Sequence, residues 1–332
     1  MTSLDSTEPL HGGPDARGPA PHDFSTNANA CGPCPAAVAA IQQADASRYP
    51  DPRYTALCER LCRFHRVDPA RIVVAASASE FIGRVTAAVA QQGGSRVWLP
   101  PQSYGDYRRA ADAWGFKPAP ATDADLAWCC DPSSPLGQAQ DGLQTLLDDL
   151  PAHANCVLDL AYEPLRLEGS LALAPAQRDR VWQLWTPNKA LGLTGVRAAY
   201  AIAPASAGEM AARLRRLAPS WAVGAHGVAL LTAWTGNEAQ DWLWRSLPRL
   251  LAWKAEQRAM CESLGWTCLP SVANYFCARP DRPCADRAAA LRDAGIQLRH
   301  TASFGLPGHV RLGVLPPGSQ TALQRAWLAA HP

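Results

Sequence analysis

The chain has 332 residues, which is enough to bury a substantial core and suggests one large domain and one smaller domain. Hydrophobic residues make up 48% of it and the net charge is only +2, so neither disorder nor nucleic-acid binding is expected. No apolar run approaches the ~18–20 residues that cross a bilayer, and the polar N-terminus does not resemble a secretory signal. We therefore expect a cytoplasmic protein with no membrane partner, whose 11 cysteines are free thiols.

Apolar patterning divides the chain into three parts. Residues 1–30 are polar and are expected to form an extended N-terminal arm. In residues 31–205, short apolar segments alternate with amphipathic ones. The predicted strands are 72–75, 96–99, 126–130, 156–160, 181–185 and 198–202. The predicted helices are 35–46, 54–64, 80–91, 104–114 and 143–150. This alternation predicts a large α/β domain with a mainly parallel sheet covered by helices on both faces.

Residues 206–332 follow a different pattern. Helical segments are predicted from about 206 to 264, and two strands, 272–278 and 310–314, are predicted beyond them. These strands are accompanied by helical segments at 284–294 and 321–330. We therefore expect connecting helices and then a small α+β domain.

A Cys-x-x-Cys pair, formed by Cys31 and Cys34, has a spacing found in metal and redox sites. Neither a second such pair nor a histidine pair at zinc-site spacing accompanies it. We therefore predict no metal site and interpret the cysteines as small core residues.

Polar residues collect on the turns that follow the predicted strands, which is where ligands bind in open α/β sheets. Lys189 lies in a Gly-rich turn and is one of only three lysines, although the chain has 31 lysines and arginines together. Unlike a guanidinium group, an amine can lose its proton when desolvated and attack a carbonyl group. Lys189 is therefore a candidate nucleophile, although from this turn alone a surface lysine is an equally good interpretation.

Four features in order strengthen the first interpretation: Tyr104, the run Asp159-Leu160-Ala161-Tyr162, Lys189 and Arg197. Together they resemble the class I and II aminotransferase family, whose members have the fold-type I architecture and use pyridoxal phosphate. The resemblance covers nearly the whole chain. It implies an α/β pyridoxal-phosphate-dependent transferase fold and three catalytic residues. Asp159 would keep the pyridine nitrogen of the cofactor protonated, Lys189 would bind the cofactor covalently and act as a base, and Tyr104 would stack on the ring.

The same resemblance implies further cofactor contacts. The residues that match its phosphate-binding positions are Ser77, Ala78, Ser79, Thr186 and Arg197. Tyr162 and Ser134 match positions that bind the 3-oxygen of the ring. The family usually has glycines at positions 75 and 77 and asparagine at 134, so this chain departs from the pattern there. Tyr49 resembles a tyrosine that reaches the partner's cofactor phosphate, which implies a homodimer with shared active sites.

Within the family, four segments look most like the threonine-phosphate decarboxylases of cobalamin biosynthesis. They are His11-Gly12-Gly13, Asp23-Phe24-Ser25-Thr26-Asn27-Ala28-Asn29, Tyr49-Pro50-Asp51 and the run from Ser303 to Arg311. This group converts L-threonine O-3-phosphate to (R)-1-amino-2-propanol O-2-phosphate. The resemblance implies that the substrate contacts are His11, Gly12, Asn27, Arg299 and Arg311. Two arginines suit a substrate with both a phosphate and a carboxylate.

Two alternatives remain at this stage. Histidinol-phosphate aminotransferases share the Tyr-Pro-Asp run and the lysine segment, and only the orientation of the substrate on the cofactor separates transamination from decarboxylation. A pyridoxal-phosphate-binding homologue with little activity is favoured by the missing glycines and by Ser134.

Overall fold

The computed structural model describes residues 12–284 and 287–330. Its largest sheet has seven strands, which are β2 (Ile72–Ala75), β3 (Arg96–Trp98), β4 (Lys117–Pro118), β5 (Leu126–Cys130), β6 (Asn155–Asp159), β7 (Trp182–Trp185) and β8 (Ala199–Ile202). Their order across the sheet is β2-β8-β7-β6-β5-β3-β4. Strand β8 is antiparallel to both of its neighbours, and the remaining pairs are parallel. The predicted mainly parallel sheet is confirmed.

Strand β5 shows why the sheet is covered on both faces. All five of its residues are buried, as expected for a central parallel strand. Leu126 and Trp128 face one hydrophobic cluster, and the alternate residues Ala127 and Cys129 face another. Each face therefore needs its own layer of helices.

The helices of the described residues are α1 (Pro35–Gln42), α2 (Thr55–His65), α3 (Ala78–Ala90), α4 (Gly105–Ala113), α5 (Leu143–Asp149), α6 (Pro175–Arg178), α7 (Gly208–Leu217), α8 (Ala225–Trp234), α9 (Asn237–Ser263), α10 (Ala288–Asp293) and α11 (Pro317–Ala329). Helices α3 and α4 begin within a few residues of the strands β2 and β3, so their N-termini lie at the carboxyl edge of the sheet. In the described part of the chain, no helix is both long enough and apolar enough to span a bilayer.

The C-terminal part contains a second, antiparallel sheet. Its strands are β9 (Thr267–Cys268), β10 (Tyr275–Arg279), β12 (Arg299–His300) and β13 (Val310–Gly313), in the order β12-β13-β10-β9. A hydrophobic cluster that includes Phe276, Leu312 and Trp327 joins this sheet to α11. The α+β character predicted for this part agrees with the structure, and the domain boundary at residue 205 stays a prediction.

The described part of the N-terminal arm is bound to the C-terminal part of the chain more firmly than the predicted extended arm would be. Strand β1 (His22–Asp23) pairs in parallel with β11 (Ile296–Gln297), a pairing that the sequence analysis did not predict. Phe24 is fully buried in the core of the small sheet, and its carbonyl oxygen accepts a hydrogen bond of 2.7 Å from the backbone of Gly313. The arm is fixed there because an apolar side chain and a paired backbone anchor it.

Candidate active site

A cavity of about 530 Å³ opens at the carboxyl edge of β5, β6 and β7, between the large sheet and the small one. That volume suits a cofactor together with a small substrate. The site residues predicted from the sequence that line it are Gly12, Asn27, Ser77, Ala78, Ser79, Tyr104, Ser134, Asp159, Tyr162, Thr186, Lys189, Arg197, Arg299 and Arg311. Tyr49 does not line it, and His11 lies outside the described residues.

Asp159 is the last residue of β6 and is almost completely buried. Its Oδ2 accepts a hydrogen bond of 2.7 Å from the hydroxyl of Tyr107, and its Oδ1 accepts one of 2.9 Å from the backbone of Ala161. Burial raises the pKa of this carboxyl group, while the two hydrogen bonds and the nearby charge of Lys189 act in the opposite direction. The carboxylate is therefore held at the floor of the cavity with both oxygens fixed.

The turn that carries Lys189 is held by backbone contacts. The Lys189 amide donates to the side chain of Asn188 (3.0 Å), and the Lys189 carbonyl accepts from the backbone of Asn29 (2.9 Å). Gly192 has a φ of +68°, and a Cβ there would lie 2.6 Å from the carbonyl oxygen of Gly32, so only glycine fits. The Lys189 amine is thus displayed from a rigid turn.

Two tyrosines line the same cavity as this amine. The Lys189 Nζ lies 5.1 Å from the centre of the Tyr162 ring, and the Tyr162 hydroxyl accepts a hydrogen bond of 3.3 Å from the side chain of Asn27. Tyr104 is the N-cap residue of α4, and burial is the main reason that its pKa lies above the ordinary value. The Tyr104 phenol is therefore a neutral group at neutral pH.

The start of α3 is the predicted phosphate site, and its hydroxyl groups already have other roles. The Ser77 hydroxyl caps the helix by accepting from the Glu80 amide (3.1 Å). The Ser79 hydroxyl donates to Oδ2 of the buried Asp106 at 2.5 Å. The first amides of a helix have no acceptor within the helix, so the Ala78 and Ser79 N–H groups are the donors available to an anion.

Thr186 and Arg197 complete this end of the cavity. The Oγ1 of Thr186 is buried and has no hydrogen-bond partner. An unpaired buried hydroxyl is unfavourable, and this arrangement is expected where a bound ligand or water supplies the partner. Arg197, by contrast, is exposed in this single chain.

Two buried arginines form the opposite wall. Arg299 on β12 and Arg311 on β13 are direct cross-strand partners. An Arg299 Nη donates to the Ser303 hydroxyl (2.8 Å), and an Arg311 Nη donates to the Ser25 carbonyl (3.0 Å). The Phe304 ring centre lies 4.7 Å from the Arg299 guanidinium carbon and 5.8 Å from that of Arg311. Like charges opposite one another are destabilising, so this wall favours an anionic ligand.

The N-terminal segment closes this side of the cavity. A Cβ at Gly12 would lie 2.1 Å from the Ser25 carbonyl oxygen, so the two backbone segments can approach each other only because residue 12 is glycine. The Gly13 amide donates to the Ser25 hydroxyl at 2.8 Å. The Oδ1 of Asn27 is buried in the cavity wall and has no hydrogen-bond partner. A ligand donor could satisfy it.

Tyr49 lies apart from the cavity, and 77% of its surface is exposed. Its ring stacks on Trp221 with the ring centres 4.2 Å apart. Trp221 has a left-handed φ of +50° and donates from its indole nitrogen to the Pro50 carbonyl (3.1 Å). An exposed aromatic pair fixed in this way suits an interface, and the role predicted for Tyr49 stays a prediction.

Sequence reasoning missed Tyr107, Asp106 and Phe304 as neighbours of the site. Tyr107 lies three residues after Tyr104 on the same helix, a spacing that places two side chains on one face and could have revealed it. Asp106 has no such signal. Phe304 lies in the run from Ser303 to Arg311, but its contact with the two arginines depends on tertiary packing. Within residues 12–284 and 287–330, no group of three or more His, Cys, Asp or Glu residues is arranged to hold a metal ion.

Known proteins resemble this chain over most of its length. The family model for aminotransferase class I and II matches residues 21–328. A histidinol-phosphate aminotransferase of Ruegeria pomeroyi is 27% identical over 88% of this chain and 86% of its own length. The crystal structure of a Sinorhizobium meliloti histidinol-phosphate aminotransferase in complex with pyridoxal 5'-phosphate is 20% identical, with a TM-score of 0.76 over 92% of this chain and 89% of that one.

A second solved structure is of an L-threonine-O-3-phosphate decarboxylase from Porphyromonas gingivalis, with a TM-score of 0.78. It is 21% identical and is covered over 98% of its length by 92% of this chain, so it supports the fold and nothing finer. The predicted fold-type I architecture is confirmed by these likenesses. The chain therefore belongs to the class I and II aminotransferase family, and its cofactor is pyridoxal phosphate.

Proposed function

We propose that this chain is a pyridoxal-phosphate-dependent enzyme for a small amino acid that carries a second anionic group, and that it decarboxylates L-threonine O-3-phosphate. The observation that carries this proposal is the pair of buried arginines, Arg299 and Arg311, on adjacent strands of the cavity wall. Two buried cations side by side favour the approach of anions. A guanidinium forms bidentate hydrogen bonds with either a phosphate or a carboxylate, so a substrate that carries one of each suits this pair.

The residues of the cavity fit the cofactor. Thr186 and the first amides of α3 would hold its phosphate, Tyr104 would cover its ring, and Asp159 would accept a hydrogen bond from its ring nitrogen. When bound, pyridoxal phosphate withdraws electrons from the α-carbon of an attached amino acid. The amine of Lys189 would hold the cofactor in the resting enzyme and carry a proton to or from the α-carbon during turnover.

The two arginines would also decide which bond breaks. The bond that is perpendicular to the cofactor ring is the one whose electrons can be withdrawn, so orientation of the substrate selects the reaction. Arg311 would hold the α-carboxylate and Arg299 the side-chain phosphate. These two anchors would set the rotation of the substrate.

A second candidate is transamination of the histidinol-phosphate type. It is favoured by the name of the curated relative from Ruegeria pomeroyi, and the comparisons support it better than they support decarboxylation. Decarboxylation is favoured by the cavity itself, since the segments that contain Gly12, Gly13 and Asn27 line it, and these segments carry the resemblance to the decarboxylases. The third possibility, a homologue with little activity, has the fewest observations behind it because Lys189, Asp159 and Arg197 all line the cavity.

Alanine variants of the two arginines would test the substrate assignment. Loss of a hydrogen bond to a charged partner costs about 1.5–3 kcal/mol, or roughly ten- to a hundredfold in kcat/KM. Arg299→Ala should weaken the reaction of threonine phosphate much more than that of unphosphorylated threonine, whereas Arg311→Ala should weaken both. Equal losses on the two substrates in Arg299→Ala would remove the phosphate role.

The proposed assembly is a homodimer with shared active sites. It is supported by the exposed stack of Tyr49 on Trp221 and by the exposure of Arg197 at the cofactor-phosphate end. Sedimentation should give a mass of two chains, and Tyr49→Phe should weaken cofactor binding without changing that mass. A monomer with full activity would rule out the shared site.

A further inference from the structure

Among the described residues, Tyr107 is the only one whose side chain donates a hydrogen bond to Asp159. It lies on α4, one turn beyond Tyr104, and none of its surface is exposed. Its ring stacks on Trp128 with the ring centres 4.4 Å apart and the planes 10° from parallel, and Tyr104 packs edge-on against it at 5.6 Å. The phenol is therefore clamped with its hydroxyl directed at the carboxylate.

The direction of this hydrogen bond is fixed. Burial and the neighbouring Asp159 charge raise the pKa of Tyr107 well above its ordinary value, so the hydroxyl always carries its proton. An ionised carboxylate has about four positions that can accept hydrogen bonds. Tyr107 and the Ala161 amide fill one on each oxygen, which leaves room for a donor from the cavity.

We propose that Tyr107 is a positioning residue that keeps Asp159 ionised and aimed at the ring nitrogen of pyridoxal phosphate. The inference rests on the cofactor assignment and not on which of the two reactions follows. Without the hydroxyl, the buried carboxylate would lose its strongest fixed donor and would more readily exist as a neutral acid. A neutral acid does not hold a proton on the ring nitrogen, so the cofactor would withdraw electrons less well. The N-terminal end of α4 would thus supply both Tyr104, which stacks on the ring, and Tyr107, which positions Asp159.

The test is Tyr107→Phe in the holoenzyme, because this change keeps the ring packed on Trp128 and removes only the hydroxyl. With ¹⁵N-labelled pyridoxal phosphate bound, the ring-nitrogen NMR signal should move towards the unprotonated form, and that change should appear at a lower pH than in the wild type. The kcat should fall about ten- to a hundredfold with KM little changed.

Tyr200→Phe is the matched control, since Tyr200 is also a fully buried phenol and its hydroxyl contacts His65 and Trp234 away from the cavity. The inference is upheld if the nitrogen signal moves in Tyr107→Phe and stays in place in Tyr200→Phe. It is overturned if the signal stays in place in both variants or moves equally in both.

If Tyr107→Phe does not fold, 3-fluorotyrosine at position 107 replaces it. As a more acidic donor, it should shift the nitrogen signal in the opposite direction, towards the protonated form, and an unchanged signal would overturn the inference. Because these spectra are recorded without substrate, they do not depend on the proposed reaction.

Discussion

The two ends of the cofactor cavity are built differently. At the predicted ring-nitrogen end, both oxygens of Asp159 accept hydrogen bonds from donors that the fold supplies, so the carboxylate is fixed before any ligand arrives. At the predicted phosphate end, the Ser77 hydroxyl caps α3, the Ser79 hydroxyl donates to Asp106, and the Thr186 hydroxyl has no partner. The fold supplies the hydrogen-bond partners that fix Asp159, whereas at the other end the Thr186 hydroxyl still needs a partner from a ligand.

This difference suggests how the predicted phosphate site tolerates Ser77, at a position where the family resemblance implies glycine. The side chains at positions 77 and 79 are drawn into the helix cap and towards Asp106, so the backbone amides of Ala78 and Ser79 remain open to the cavity. Amides at a helix N-terminus are sufficient to bind a phosphate. The role of the loop can therefore survive the loss of the glycines.

The largest effect is expected at Lys189, which lies between the two ends. Lys189→Ala should abolish both turnover and the visible absorbance of the lysine-bound cofactor, because no other lysine of the described residues lines the cavity. The fold should persist, since the residue lies on a turn held by backbone contacts. Absorbance spectroscopy, a turnover assay and circular dichroism would check the three expectations. Near-normal activity would show that the catalytic assignment is wrong.

Asp159→Asn should show how much the charge of the carboxylate contributes to the rate. The variant keeps the shape of the side chain but removes its charge, so the cofactor should remain bound while kcat falls by about a hundredfold or more. Spectroscopic titration of the cofactor and steady-state kinetics would separate the two effects. Unchanged kinetics would mean that another carboxylate faces the ring nitrogen.

Thr186→Val should show how much the Thr186 hydroxyl contributes to cofactor binding. Without cofactor, replacing a buried unpaired hydroxyl by a methyl group should leave stability unchanged or slightly raise it. With cofactor, the lost hydrogen bond to the phosphate should weaken binding by roughly ten- to a hundredfold. Thermal unfolding without pyridoxal phosphate measures the change in stability, and the rise in Tm when pyridoxal phosphate is added measures the change in cofactor binding. Thr186→Ser serves as the control that keeps the hydroxyl. Equal cofactor affinity in Thr186→Val and wild type would contradict the ligand role of Thr186.

Ser79→Ala should have the smallest effect. Its hydroxyl is already committed to Asp106, and its backbone amide is kept in the variant, so cofactor affinity should change by less than about threefold. Equilibrium dialysis with pyridoxal phosphate would measure it. A loss of tenfold or more would show that the hydroxyl turns from Asp106 to the phosphate when the cofactor binds.

Much of this molecule could be read from the sequence because its central strands are short apolar runs between helices. Strands β2 and β5 begin and end where the pattern placed them. Asp159 lies at the end of β6, and Lys189 follows β7. Strand β11 escaped detection because its two residues carry no periodic signal, and its pairing with β1 joins segments far apart in the chain.

The side-chain partners within the site were less accessible to such reasoning. The resemblance identified Ser79 as a phosphate ligand, but the structure shows its hydroxyl donating to Asp106, which comes from another helix. The support of Asp159 by Tyr107 likewise depends on how α4 packs against β5 and β6. These contacts are tertiary, and local patterns do not specify them.

The most direct measurement of the central claim is product analysis after the purified protein is incubated with pyridoxal phosphate and L-threonine O-3-phosphate. Release of CO₂ together with an equal amount of 1-amino-2-propanol O-2-phosphate is the result that the proposal predicts. Parallel reactions should contain histidinol phosphate with 2-oxoglutarate, and Lys189→Ala should serve as the blank. Formation of glutamate from histidinol phosphate and 2-oxoglutarate, without CO₂ release from threonine phosphate, would contradict decarboxylation and establish the aminotransferase alternative.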